Sequence, residues 1–152
     1  MTAALSVRDL TVVLAGAGES LPVLDAVSLE IAPGSSHALV GESGGGKTLL
    51  ARAVMRLLPP AAAVVSGEVR VGGIDLLGLP EREMESRRGG AVGLVFQEPL
   101  AAFDPVLPVG AQVAEAVRRH GGVGRRAARA RAIDLLEEAG LPRAARYFDA
   151  PP

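Results

Sequence analysis

Residues 5–14, LSVRDLTVVL, set apolar against polar positions with a period near two, which predicts a half-buried strand. AGAGES at 15–20 then predicts a loop, and PVLDAVSLEI at 22–31 a second strand ending at the turn APGS. HALV at 37–40 is a short apolar run that feeds straight into glycines, as a buried strand would. From Lys47 to Leu58 the residues Leu50, Val54, Leu57 and Leu58 recur at helical spacing, and Pro59-Pro60 stops that helix. GEVRV and IDLL flank Gly72-Gly73, a two-residue hairpin signal. LPEREMESRR predicts a short helix with Pro80 and acidic residues in its first turn. AVGLVF at 91–96 predicts another buried strand.

After Phe96 the character changes. A proline-marked loop, QEPLAAFDPVLP, leads into two helical patterns. The first carries Val109, Val113, Ala116 and Val117; the second carries Ala128, Ala132, Leu135, Leu136 and Ala139, with Gly140 and Pro142 ending it. Mixed strands and helices therefore precede an α-rich segment. The expected class is α/β, divided into residues 1–97 and residues 98–152.

Composition narrows the chemistry. The chain has 152 residues, 49% apolar and 22% charged, the balance of an ordinary globular domain. A formal net charge of −1 gives no general attraction to nucleic acid or anionic lipid. Without cysteine there are no disulfides, thiolate metal sites or thiol nucleophiles. His37 and His120 are too few for a histidine-built zinc site and read as surface or strand residues. MTAALSVRDL has neither the basic region nor the apolar core of a signal peptide, and no apolar run approaches the ~20 residues of a spanning helix. The expectation is a cytoplasmic protein that meets a membrane only through a partner.

Gly41 to Thr48, GESGGGKT, fits the phosphate-binding pattern G-x-x-x-x-G-K-[ST]. A phosphate chain is bulky and highly charged, so the backbone must wrap it with several N–H groups pointing inward. Glycine permits that tight, positive-φ path. The helix starting near Lys47 adds its N-terminal partial charge and free N–H groups. Gly41, Ser43, Gly44, Gly45, Gly46 and Lys47 are the expected phosphate ligands, with Lys47 reaching the β- and γ-phosphates and Thr48 placed to ligate Mg²⁺. Glu42 is the variable position and is expected to face solvent. Lys47 is also the only lysine, in a chain with fifteen arginines. A slim stem with a compact charge fits among crowded phosphate oxygens where a planar guanidinium does not.

Along nearly its whole length the sequence resembles the nucleotide-binding subunits of ABC transporters, above all the oligopeptide, dipeptide and nickel importer group. The stretches that carry the resemblance are LSVRDLTV, VLDAVSLEIAPGSSHALVGESGGGKT, SGEVRVGGIDLLGL, VGLVFQEPLAAFDP and ARAIDLLEEAGLP. It implies a P-loop NTPase fold with N-terminal antiparallel strands and the start of an α-helical subdomain, and ATP with Mg²⁺ as ligands. Gln97 would be the Q-loop glutamine, which touches Mg²⁺ and the attacking water and senses the membrane partner. Alone, a glutamine after a strand is an ordinary solvated strand end; in register with the P-loop it takes this role. Glu98-Pro99 and Asp104-Pro105 resemble the peptide-importer subgroup. The implied partners are transmembrane permease subunits, through residues around 97–120, and a second ATPase subunit, homologous or identical. The implied place is the cytoplasmic face of the membrane, with no role in nucleic-acid binding.

Two departures stand out. Where the family stacks adenine on an aromatic residue, this chain has Leu14; its four aromatics, Phe96, Phe103, Tyr147 and Phe148, all come later. Second, RYFDAPP stops where the family would continue to its LSGGQ-type signature, Walker B carboxylates, D-loop and switch histidine. No catalytic residue is therefore assigned. Asp75 follows a hairpin and Glu137-Glu138 lie on a polar helix face, so both read as solvated surface. The expectation is the N-terminal part of a longer protein, or a truncated product unstable alone, that binds MgATP weakly without turnover. The alternatives are a non-hydrolysing nucleotide-binding fragment and a non-transport P-loop enzyme such as a small-molecule kinase. The resemblance also implies flanking strands for HALV; without them it would expose apolar faces and unpaired backbone.

Overall fold

The computed structural model describes residues 2–15 and 20–152; positions 16–19 of the expected loop lie outside the described residues. The chain forms two compact units, Met1–Leu94 and Val95–Pro152.

The first unit is built on a four-stranded antiparallel sheet in the order β2-β1-β3-β4. β1 spans Leu5–Leu14, β2 Leu21–Ile31, β3 Ala62–Val71 and β4 Ile74–Asp75. β1 is central and its period-two pattern slips once. Val7, Leu10 and Val12 are all buried because a bulge at Arg8-Asp9 shifts the phase by one residue. Asp9 takes φ 45° there. Its N–H donates to Ser28 Oγ at 2.9 Å, and the Ser28 hydroxyl donates back to Asp9 Oδ1 at 3.1 Å. A second irregularity, at Ala26, is pinned by its N–H donating to Thr11 Oγ1 at 3.1 Å. Gly72 and Gly73, at φ 56° and 85°, make the expected tight turn between β3 and β4.

Against one face of the sheet pack α1, Lys47–Val54, and α2, Glu81–Arg87. Leu50, Ala53 and Val54 of α1 and Met84 of α2 join Val7, Leu10, Val12, Leu24, Val69 and Leu76 in one core. α1 is shorter than its periodicity predicts. It stops at Met55, and Arg56 turns left-handed at φ 51°. The Arg56 N–H reaches the Ala53 carbonyl (3.0 Å) and the Leu57 N–H the Arg52 carbonyl (2.8 Å), closing a Schellman motif without glycine. The left-handed arginine costs about 1–2 kcal/mol. Its guanidinium offsets this by donating to the carbonyls of Leu76 (3.2 Å) and Leu79 (2.6 Å).

Two expected strands do not form. HALV runs irregular and exposed, with Val40 86% accessible, and AVGLVF shows only an isolated parallel bridge between Arg88 and Val92. A strand is completed by its neighbour, and among the described residues neither stretch has one alongside.

The second unit is a helical hairpin, α3 (Val109–Gly121) and α4 (Arg125–Glu138), with 3-10 turns at Pro99–Ala102 and Ala144–Arg146. Gln112 fastens the proline loop to α3. Its side chain accepts from the Asp104 N–H and donates to the carbonyls of Asp104 and Leu107, each at 2.9 Å. The C-terminal segment folds back onto α3. Val109 and Gly110 donate their N–H groups to Ala150 and Phe148, both at 3.0 Å, and the buried Phe148 ring lies flat on Gly110. Arg129 covers that ring at 3.8 Å. A Cβ at position 110 would overlap the ring, so Gly110→Ala should cost about 1–3 kcal/mol through overpacking. Denaturant unfolding of wild type and variant checks this; equal midpoints would show that the ring does not need the gap.

Candidate functional site

The loop between the irregular HALV stretch and α1 carries the candidate phosphate site. Gly44 and Gly46 are left-handed, at φ 84° and 80°, and Gly41 has φ 159°. The loop is held by short bonds of its own: Gly45 N–H to Glu42 O at 3.2 Å and Gly46 N–H to Gly44 O at 2.8 Å. Gly46 is also pressed against the sheet. A Cβ there would stand 2.7 Å from Leu24 Cδ2 and 3.2 Å from the Val23 carbonyl, so β2 fixes where the loop ends and α1 begins.

Lys47, the first residue of α1, curls back over the loop. Its ammonium donates to the carbonyls of Gly41 (2.8 Å) and Glu42 (2.5 Å). Two donors brace the loop and the third remains for a ligand. Ser43, Gly44 and Gly45 are exposed around it, as is Thr48 in the first turn of α1, and Glu42 is exposed as expected. No acidic residue occupies the first turn of α1. A phosphate placed here would meet the positive end of a helix, an ammonium and open space over Gly41 and Gly44, where an added Cβ would touch nothing within 4 Å. The donor set suits a polyphosphate, and Thr48 supplies a hydroxyl of the kind that holds the accompanying Mg²⁺.

The far end of α1 is clamped by residues that sequence reading passed over. Arg88 Nε donates to the Met55 carbonyl at 2.9 Å and its Nη2 to the Arg56 carbonyl at 3.2 Å, covering the carbonyls that end the helix. Glu81 pairs with Arg88 and lies 3.4 Å from Arg56. The Arg88 hydrogen bond holds the Glu81 carboxyl below its ordinary pKa. Only the presence of arginines soon after a helix hints at this in sequence.

Leu14 closes β1, paired with Leu21 on one side and Ala62 on the other, and its side chain is 36% exposed. Gln97 lies in the second unit, exposed, two residues ahead of the Pro99–Ala102 turn. Asp75 accepts from the Leu77 N–H at 3.1 Å, and Glu137 from the Ala144 N–H at 3.2 Å, so both have structural work. Among the described residues no cluster of acidic or histidine side chains could hold a metal ion unaided.

Comparison with known proteins places the chain in a family. The family model described as ABC transporter matches residues 24–149. The oligopeptide transport ATP-binding protein OppD of Mycobacterium tuberculosis is 44% identical over 142 residues, covering 93% of this chain and 23% of the relative. The protein of the same name from Bacillus subtilis is 36% identical, with 93% and 40% covered. The probable D,D-dipeptide transport ATP-binding protein DdpD of Escherichia coli is 40% identical, with 91% and 42% covered. The chain thus spans less than half the length of these relatives. A solved structure of the ATP-binding cassette MJ0796, dimeric and bound to ADP and phosphate, superposes with a TM-score of 0.82 at 24% identity, over 97% of this chain and 61% of that one. That likeness establishes a shared cassette fold, antiparallel sheet and helices included. With the phosphate loop and both helices of the hairpin inside the matched range, the chain belongs to the ABC transporter family.

Proposed function

We propose that this chain is the MgATP-binding portion of an ATPase that powers import of peptides or a similar small solute. Residues 1–97 supply the phosphate-binding core and residues 98–152 part of a helical subdomain. Gly41, Ser43, Gly44, Gly45, Gly46 and Lys47 hold the phosphates; Thr48 and Gln97 hold Mg²⁺. The observation that carries the reading is the loop itself, left-handed at Gly44 and Gly46 and braced by Lys47. The cargo class rests on the names of the relatives. Membrane permease subunits would dock on the region around residues 97–120, and a second ATPase subunit would complete the pair, at the cytoplasmic face of the membrane. The chain's residues support nucleotide binding, with the ammonium of Lys47 and the hydroxyl of Thr48 at the open loop.

Titration with ATP in the presence of Mg²⁺ tests the core of this. Saturable binding that depends on Mg²⁺ is expected, and no binding at millimolar nucleotide would overturn it. The same titration decides the role of Leu14. Base–aromatic stacking contributes about 1–3 kcal/mol, so Leu14→Tyr should tighten ATP binding by roughly 5- to 150-fold and sharpen the preference over GTP. Unchanged affinities would mean that the end of β1 does not meet the base.

A further inference from the structure

The near-zero net charge conceals a segregation. Between Glu115 and Asp134 the sequence holds six arginines and one histidine and no acidic residue. The hairpin gathers five of these side chains at its tip. Arg118, Arg119 and His120 end α3, and Arg125 and Arg126 begin α4, all exposed and separated only by a short turn. Arg118 pairs with Glu115 at 2.7 Å. Farther along α4, Arg129 is taken by Phe148 and Asp149, and Arg131 by Glu138. Arg125 and Arg126 have no acidic partner among the described residues.

Their placement runs against their own helix. The first turn of a helix carries partial positive charge and favours Asp or Glu, yet α4 opens on two arginines with no acid beside them. The arginines of α3 lie in its last turn, where the dipole favours them, but they face the same tip. Mutual repulsion at this point is relieved by an anionic partner. The turn that joins the helices, Gly122-Val123-Gly124, adds one half-exposed apolar side chain between the two basic ends and nothing bulky that would hold a surface away.

We propose that the α3–α4 tip docks on anionic lipid headgroups. The charges belong to two helix ends and are all exposed, an arrangement that suits a plane of phosphates. Clusters of four to eight Lys or Arg beside a membrane or on an amphipathic helix read as sites for anionic headgroups, and four arginines gather here. No Phe, Tyr or Trp lies between Glu115 and Asp134 to stack on bases, and His120 is the one ring in the segment, which disfavours single-stranded nucleic acid. That a membrane lies within reach rests on the proposed function; the charge pattern does not.

Co-sedimentation of the 152-residue chain with vesicles tests the proposal. Binding to phosphatidylcholine vesicles containing phosphatidylglycerol, and not to phosphatidylcholine alone, is expected, weakening steeply with salt. Each arginine near such a surface is worth about fivefold, so Arg125→Gln with Arg126→Gln should lose roughly twenty-five-fold in vesicle affinity while MgATP binding stays unchanged. The pair removes charges that α4 itself disfavours, so the variant should melt no lower than wild type. Charge reversal, Arg125→Glu with Arg126→Glu, should abolish vesicle binding. Equal binding to both vesicle types, an unaffected double variant, or tighter binding to duplex DNA than to anionic vesicles at the same salt would each overturn it. Vesicle binding without MgATP binding would leave the tip standing and remove the proposed function; the reverse would do the opposite.

Discussion

Replacing Lys47 with alanine should lower the affinity of this chain for MgATP by about a hundred- to a thousandfold. The ammonium has two tasks. It braces the loop by donating to the Gly41 and Glu42 carbonyls, and it leaves one donor and a full charge over the space a phosphate would occupy. A hydrogen bond to a charged group contributes about 1.5–3 kcal/mol, and the substitution removes such bonds together with the brace that keeps Gly44 and Gly46 in their left-handed turns. The fold should survive. α1 is anchored by Leu50, Ala53 and Val54 in the core and by Arg88 at its far end, none of which involves Lys47. Calorimetric titration beside a thermal melt separates the two effects. Unchanged affinity would take the phosphate loop out of the account, and a collapsed melt would mean that the brace matters more to folding than to binding. Lys47→Arg is informative too: it keeps the charge but spreads it over a planar fork, and only partial recovery is expected.

The turn of residues 41–48 and the helix that follows it are legible in the sequence because their geometry is local. Eight consecutive residues set the φ angles, the charge and the start of the helix, and no distant contact is needed to recognise them. The same holds for the Gly72-Gly73 hairpin, for α2 behind Pro80, and for the helical hairpin, whose buried Ala128 and Ala132 follow from spacing alone. HALV and AVGLVF failed for the opposite reason. Their composition is that of buried strands, but a strand exists only beside another strand, and these two have none among the described residues. The end of α1 was misplaced because Leu57 and Leu58 continue the helical spacing while Arg56 leaves it. What holds Arg56 left-handed is a pair of carbonyls twenty or more residues away, at Leu76 and Leu79. The clamp by Arg88 on the carbonyls of Met55 and Arg56 was invisible for the same reason. The bulge at Asp9 was hidden as well, since a phase slip of one residue leaves the strand pattern nearly intact.

That bulge leads to the second large effect, Gly67→Ala, which should destabilise the first unit by about 3–5 kcal/mol. Gly67 lies in β3 opposite the extra residue of β1, where the register jumps between Arg8↔Glu68 and Thr11↔Ser66. Its φ is +101°, and a Cβ there would stand 2.5 Å from Leu10 Cα and 2.7 Å from the carbonyl oxygens of Arg8 and Asp9. All three neighbours are backbone, so no rotamer change relieves the clash. β1 cannot retreat either, because Val7, Leu10 and Val12 hold it in the core and Ser28 pins the bulge from the other side. β3 must therefore peel away, taking Val69 out of the core shared with Leu50 and Ala53 of the helix that carries Lys47. Against a domain stability of about 5–15 kcal/mol, the loss should lower the melting temperature by ten degrees or more. Gly34→Ala is the control. It also has a left-handed φ, +71°, but an added Cβ would meet nothing within 4 Å, so only the backbone term of about 1–2 kcal/mol should appear. If the two variants melt together, the closeness of β1 and β3 at the bulge is not what makes glycine necessary there. If Gly67→Ala alone collapses, β1 must keep its bulge for α1 to have a surface to pack on.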